Sequence, residues 1–192
     1  NSLKNQNTQY DYQVVVVDSG SDESAKIVEQ EFPWVKLVRL KERAHPGKGR
    51  NVGVEHSHSD LIVFTDCDCV VSSDWIENIV NSHTTRDVVT GPVYNGTPKN
   101  IFGTMDYLLE FYDFWDYSDG KKYGPVGSCN LAFKKSIYEN YGPLDENIKG
   151  SDARFTRKLL KNNIDIYWQA DVSIHHHNRT RFLKILKNLK YQ

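Results

Sequence analysis

Cysteine is scarce in this chain: only Cys67, Cys69 and Cys129 occur among 192 residues. Three scattered cysteines do not form a disulfide framework, and a reducing, cytoplasmic setting is the expectation. They are also too few for a structural zinc site, which needs two cysteine pairs or histidines at ligand spacing. Long apolar runs are missing as well. No stretch approaches the ~20 residues that a helical membrane span requires, and no secretory signal opens the chain. Net charge is nearly absent, at -1, which leaves no electrostatic footprint for nucleic acid, so any anionic ligand must be met by local groups. There is neither an internal repeat nor a low-complexity linker. The remainder, 39% hydrophobic and 26% charged, suits one globular domain over 1–192.

Strand and helix signals alternate along the first hundred residues. YQVVVVD (12–18) and LIVFTD (61–66) are continuous apolar runs of the kind that strands buried on both faces show. VKLVRL (35–40) and DVVTGPVY (87–94) read as two further strands. Between them lie a helix over AKIVEQEF, a Gly/Pro loop HPGKG followed by a short helix at Asn51 to His56, and a helix over SSDWIENIVNSH with Ser72 or Ser73 as its cap. Beyond residue 100 come an aromatic helix, MDYLLEFYDFWDY, a Gly-rich strand region, GPVGSCNLAF, and a helix, DARFTRKLLKNN. IDIYWQ and DVSIHHH close the sheet region. The pattern predicts an α/β fold with a mostly parallel sheet flanked by helices. Ligands then collect at the carboxyl ends of the strands, where Asp18 and Asp66 stand.

Several motifs carry chemistry. In TDCDC, strand alternation would put Asp66 and Asp68 on one face and Cys67 and Cys69 on the other, so a single cluster is not expected and the cysteines read as small buried hydrophobes. Asp66 and Asp68 suit a hard divalent cation beside phosphate oxygens, or simply a polar strand exit. DSGSDES (18–24) reads as a phosphorylatable acidic motif, a helix start whose acids complement the dipole, or a nucleotide-contacting loop. Lys48 and Arg50 in PGKGRN are either solvated or positioned for a base or phosphate. Asp152 in KGSDARF reads as a helix cap or, facing a cleft, as a proton acceptor for a hydroxyl. In IHHHN, His175 and His177 share one face of an extended segment with His176 opposite.

In order, VVVVDSGSDES, GKGRNVGVEHSHSDLIVFTDCDCVVSSDWIE, GSCNLAFKKSIYENYGPLDENIKGSDARFTRKL and IHHHN resemble the family 2 glycosyltransferases of GT-A fold, a Rossmann-like sheet, over roughly residues 10–180. The resemblance implies inverting transfer of a sugar from a nucleotide donor, usually UDP-linked, to an acceptor hydroxyl in glycan or polysaccharide synthesis. It makes 10–100 the nucleotide-binding half and 101–178 the acceptor and catalytic half. Asp18, with Ser19 where many relatives have a second aspartate, matches the nucleotide loop, joined by Lys48, Arg50 and Asp66. Asp68 matches the ligand of Mn²⁺ or Mg²⁺, and His175, alternatively His177, the late histidine of the metal or diphosphate site. Asp152 matches the catalytic base, although the usual preceding glutamate is Ser151 here.

For the acceptor, a glycan or lipid-linked sugar, the resemblance points to the aromatic region of Tyr112, Trp115 and Tyr117, and to Asn130; the helix carrying the aromatics could equally be ordinary packing. Relatives also open with a strand that should lie centrally in the sheet. The chain begins at Asn1 rather than Met, with SLKNQ reading as the end of the helix after that strand. The expectation is therefore a fragment of a longer enzyme without its first strand, whose neighbouring strand edges are left unpaired. The basic amphipathic helix of 179–192 either docks on the domain or lies on a membrane surface, at the inner face. Two other readings stay open: a sugar-nucleotide pyrophosphorylase-like enzyme and a non-catalytic nucleotide- or glycan-binding module.

Overall fold

The computed structural model describes residues 2–20, 22–111 and 119–189. The aromatic positions Tyr112, Trp115 and Tyr117 lie outside these described residues. In chain order the elements are β1 (Val15–Asp18), α1 (Ser24–Glu31), β2 (Lys36–Arg39), α2 (Pro46–Glu55), β3 (Leu61–Thr65), β4 (Cys69–Val71), α3 (Trp75–Ser82), β5 (Val88–Thr90) and β6 (Val93–Asn95). There follow α4 (Ile101–Phe111), β7 (Gly120–Lys122), β8 (Asn130–Lys134), α5 (Lys135–Tyr141), α6 (Ser151–Lys161), β9 (Ile166–Trp168), β10 (Ile174–His176) and α7 (Phe182–Leu189).

The main sheet runs β3-β8-β5-β9-β7, and alternate residues of its central strands feed two separate cores. Val88, Leu131 and Phe133 point into one, covered by Ile137 of α5 and by Phe155 and Leu159 of α6. Val89 and Ala132 point into the other, covered by Trp75 and Ile79 of α3 and by Tyr107 and Phe111 of α4. A strand with period-two side chains and a core on each face must be apolar at every position, which explains the unbroken runs in the sequence.

The expectation of a mostly parallel sheet needs correction. Four of the seven strand pairings among the described residues are antiparallel. Two of them come from β8, which enters between β3 and β5 against the direction of both, and the others are β7 against β9 and β10 against β4. The run 87–94 is also two strands, since the chain turns at Gly91, where a Cβ would stand 2.0 Å from the Val172 carbonyl oxygen. β5 stays in the main sheet, and β6 joins a second one, β4-β10-β6.

β1 and β2 form a parallel pair of their own. β1 pairs only with β2, and β3 only with β8, so each has one edge without a strand partner among the described residues. The opening residues form a turn and a docked strap rather than a helix end: Gln6 Nε2 donates to Ser72 O at 2.8 Å, and Asn7 N–H donates to Ser73 O at 2.7 Å. The N-cap of helix α3 is Asp74, one residue after Ser73 and two after Ser72, the expected caps, and it makes no side-chain cap bond. The Gly/Pro loop is instead the first turn of α2, whose Pro46 fits an N1 position that needs no N–H donor.

Candidate active site

Strand β3 releases its chain at Thr65, and the Cys69 N–H closes a turn on the Asp66 carbonyl at 3.1 Å. Residues 66–68 are therefore turn, not strand, and the alternation expected for TDCDC fails there. Cys67 is exposed and Cys69 half-buried, so neither is the core residue anticipated, and only Cys129 is buried. β4 then pairs antiparallel with β10, placing Cys69 directly across from His176. Opposed residues of a ladder project on one face. As a result, the ligand atoms of Asp68, Cys69 and His176 all lie within 4.8 Å of one another.

This register corrects the choice among the three histidines. His176 Nε2 stands 3.3 Å from Asp68 Oδ1, whereas His175 is exposed with its ring against Tyr94, the centroids 5.3 Å apart. His177 contributes its backbone, donating N–H to Asp68 O at 2.8 Å. The sequence alternation was right in separating His176 from its neighbours, but the face that meets Asp68 is the buried one.

The proton on His176 is set by Asn178. The Asn178 amide nitrogen donates to His176 O at 2.9 Å and to Asn95 Oδ1 at 3.1 Å, so its Oδ1 is left to accept from His176 Nδ1 at 2.9 Å. Nδ1 then carries the hydrogen, and Nε2 turns a lone pair toward the Asp68 carboxylate. A lone pair and a carboxylate facing each other at that distance form a place for a shared cation. The oxygen, nitrogen and sulfur donors fit a divalent ion, and Asn178 acts as the outer partner that orients a ligating imidazole.

Arg50, projecting from α2, connects this cluster to the second half of the site. Its guanidinium stands 3.4 Å from Asp66 Oδ1. Burial pushes the Asp66 carboxyl above the ordinary carboxylate value, Arg50 opposes this, and Asp68 adds to the rise. Asp152, at the start of α6, behaves in the opposite way. Burial alone raises it, but the Ser128 N–H, Arg50, the Ser128 hydroxyl and the Ala153 N–H together outweigh burial and hold it below its ordinary value. Both Ser128 donors reach Oδ2, at 3.0 and 2.8 Å, and Ala153 N–H reaches Oδ1 at 2.9 Å.

Asp152 is not the cap of its helix: Gly150, at φ 68°, occupies that position. Ser151 is buried, and a Cβ on Gly47 would sit 2.9 Å from its Oγ and 2.1 Å from the Asp145 carbonyl oxygen. Gly47 thus lets the start of α2 press against the start of α6, which brings Arg50 and Asp152 into one field.

The remaining expected residues divide. Asp18 ends β1, and its carboxylate accepts the Gly20 N–H at 3.3 Å, with half-buried Ser19 between them. Lys48 is drawn away to Glu146, 3.1 Å distant. Asn130 is removed from the acceptor set because it is wholly buried and committed: Trp75 Nε1 donates to its Oδ1 at 3.1 Å, and its Nδ2 donates to Val172 O at 2.8 Å. Ser128, Cys69, His176 and Asn178 stand against Asp152 and Asp68 or against each other here and were not among the expected site residues.

Comparison with known proteins gives a consistent result. The model for the family described as glycosyl transferase family 2 matches residues 1–142. Glycosyltransferase AglE of Haloferax volcanii is 29% identical over 172 residues, covering 84% of this chain and 55% of AglE. Chondroitin synthase of Escherichia coli is 31% identical over 115 residues, covering 56% of this chain and 16% of that protein. The chain thus spans about half of AglE and far less of the synthase. Among solved structures, S. aureus TarS 1–349 in complex with UDP-GlcNAc superposes with a TM-score of 0.69 at 21% identity, covering 93% of this chain and 53% of that one. GalNAc-T7 with UDP, GalNAc and Mn²⁺ gives 0.66 at 11% identity, covering 91% and 41%.

Proposed function

Because the chain belongs to glycosyl transferase family 2 and has the GT-A fold, we propose that it transfers a sugar from a UDP-linked donor to an acceptor hydroxyl, with inversion, in glycan synthesis. One observation carries the reading: Arg50 lies in the field of both Asp66 and Asp152, which joins the Asp66–Asp68 corner to a half-buried carboxylate held below its ordinary value. The similar structures holding UDP-GlcNAc, or UDP with GalNAc and Mn²⁺, support the donor class.

Asp152 acts as the base in this reading. Its Oδ2 is occupied by two Ser128 donors, leaving Oδ1, with a single N–H on it, to take the acceptor proton. A carboxyl held below its ordinary value is ionised at neutral pH but weakly basic, so the proton moves as the new C–O bond forms. Asp66, kept in place by Arg50, accepts hydrogen bonds from the nucleoside, and Asp18 and Ser19 are assigned to the same ligand. When bound to Asp68 and His176, a divalent ion such as Mn²⁺ or Mg²⁺ would offset charge on the departing diphosphate.

The reading extends to the membrane surface. No helix among the described residues is long and apolar enough to cross a bilayer, yet α4 and α7 share an exposed apolar face. Ile101 is 78% and Leu183 72% exposed, Leu108 and Leu186 are also exposed, and the Phe102 and Phe182 rings, 5.7 Å apart, join the two helices. Exposed Lys184 and Lys187 flank it, a charge that complements anionic lipid. A lipid-linked acceptor at the inner face of a membrane, with the free thiols in a reducing cytoplasm, fits this surface.

The test is donor turnover with UDP-sugars in the presence of Mn²⁺, comparing wild type with Asp152→Asn and Asp68→Asn. Asp152→Asn should lose transfer while keeping UDP affinity, and Asp68→Asn should lose metal-dependent UDP binding. UDP binding without turnover in wild type, across donors and acceptors, would instead make this a nucleotide-binding module.

A further inference from the structure

We infer that Cys69 is a third ligand of the cation corner and biases it toward zinc over the hard ions Mn²⁺ and Mg²⁺; this rests on the reading of Asp68 and His176 as a cation site. Three features support it. Cys69 and His176 are a directly opposed antiparallel pair, so the ladder itself holds sulfur and imidazole on one face. Their ligand atoms and that of Asp68 lie within 4.8 Å of one another. In a tetrahedral zinc site, bonds of about 2.0–2.3 Å bring ligand atoms to within roughly 4 Å of each other, so small side-chain rotations close the set. Finally, His176 is 6% exposed, and Asn178 fixes its tautomer with Nε2 aimed into the group.

Donor chemistry then decides the preference. An oxygen–nitrogen pair accepts Mn²⁺ or Mg²⁺, whereas adding a thiolate favours a borderline ion such as zinc. As the sulfur–metal bond forms, the thiol proton leaves to solvent. Held by these three residues, a zinc ion would keep room for a diphosphate oxygen, as catalytic rather than structural zinc does. Cys67, exposed in the preceding turn, and buried Cys129 are outside this group.

The test uses the full chain without nucleotide. Zinc and Mn²⁺ affinities are measured by competition for wild type, Cys69→Ser and Cys67→Ser, and Co²⁺ is added as an optical probe of sulfur ligation. Wild type should bind zinc at least about tenfold more tightly than Cys69→Ser does, a loss of the size that even an outer ligand partner produces. Cobalt should give a sulfur-to-metal charge-transfer band. Cys69→Ser should lose the band and most of the zinc affinity while keeping Mn²⁺ affinity, and Cys67→Ser should keep all three. If wild type and Cys69→Ser bind zinc and Mn²⁺ alike with no cobalt–sulfur band, the inference is overturned and the Asp68–His176 site stands. If wild type binds none of these ions, both fall. Near-ultraviolet circular dichroism of each variant confirms that the fold survives.

Discussion

His83 offers a test of the structure that is independent of catalysis. It ends α3, is only 8% exposed, and its Nδ1 donates to the Arg86 carbonyl at 2.9 Å, while Nε2 is buried without a hydrogen-bond partner. Burial, only partly opposed by that bond, lowers its pKa from 6.5 to about 4. With the folded value below the unfolded one, the unfolded chain binds the extra proton first. The stability contributed is fully present above 6.5 and is lost as pH falls through the window from 6.5 toward about 4. At about 1.36 kcal/mol per pKa unit the full loss approaches ~3 kcal/mol, of which ~2 kcal/mol has gone by about pH 5. Urea melts of wild type and His83→Asn at about pH 8 and about pH 5 isolate this term, since asparagine keeps a donor for Arg86 O but does not titrate, and the other carboxylates cancel in the difference. Equal pH dependence in the two proteins would falsify the claim that His83 is buried and neutral.

Other perturbations test the site and its support. Asp152→Asn should lower transfer by ~10²–10⁴-fold, measured as kcat with saturating donor. Ser128→Ala removes a hydroxyl that lowers the Asp152 pKa, so the acid limb of the pH–rate profile should move upward while substantial activity remains; an unchanged limb refutes the coupling. Gly47→Ala drives a methyl onto the Asp145 carbonyl oxygen and should cost ~1–3 kcal/mol in urea melts, as overpacking does. Replacing Leu183 and Leu186 together by Glu should abolish sedimentation with anionic vesicles while leaving the melting temperature unchanged, and equal binding of both proteins would remove the membrane surface from the reading.

Much of the fold was legible because strong local signals decided it. The apolar runs at 14–17 and 61–64 had to be strands, and the apolar spacing of Trp75, Ile76, Ile79 and Val80 had to be a helix face. Direction of pairing was not legible. Nothing local in Asn130–Lys134 says that β8 enters antiparallel between β3 and β5, because that depends on where the chain returns from. The site followed the same division. Asp66, Asp68 and Asp152 could be found by position along the chain, but the choice of His176 needed the β4–β10 register, which a turn at 66–69 shifts by breaking alternation. Asn130 misled because a polar residue at a strand start resembles a binding group until Trp75 and Val172 are seen to consume it.

The opposite displacements of Asp66 and Asp152 show how one cation can serve two carboxylates differently. Arg50 lowers both, yet among the described residues Asp66 accepts a side-chain hydrogen bond from Arg50 alone, and Arg50 with His176 does not offset its burial beside Asp68, so its charge remains costly. Asp152 has Ser128 and Ala153 as well, and its charge is fully supported. The group assigned to proton transfer is therefore complete before any ligand arrives. The corner at Asp66 and Asp68, by contrast, carries like charges that a cation relieves, and ions that bind only the folded chain must stabilise it. Cation affinity and foldedness are thus linked at one end of the site and independent at the other. This explains why a melt shifted upward by metal in wild type should lose that shift in Asp68→Asn and retain it in Asp152→Asn.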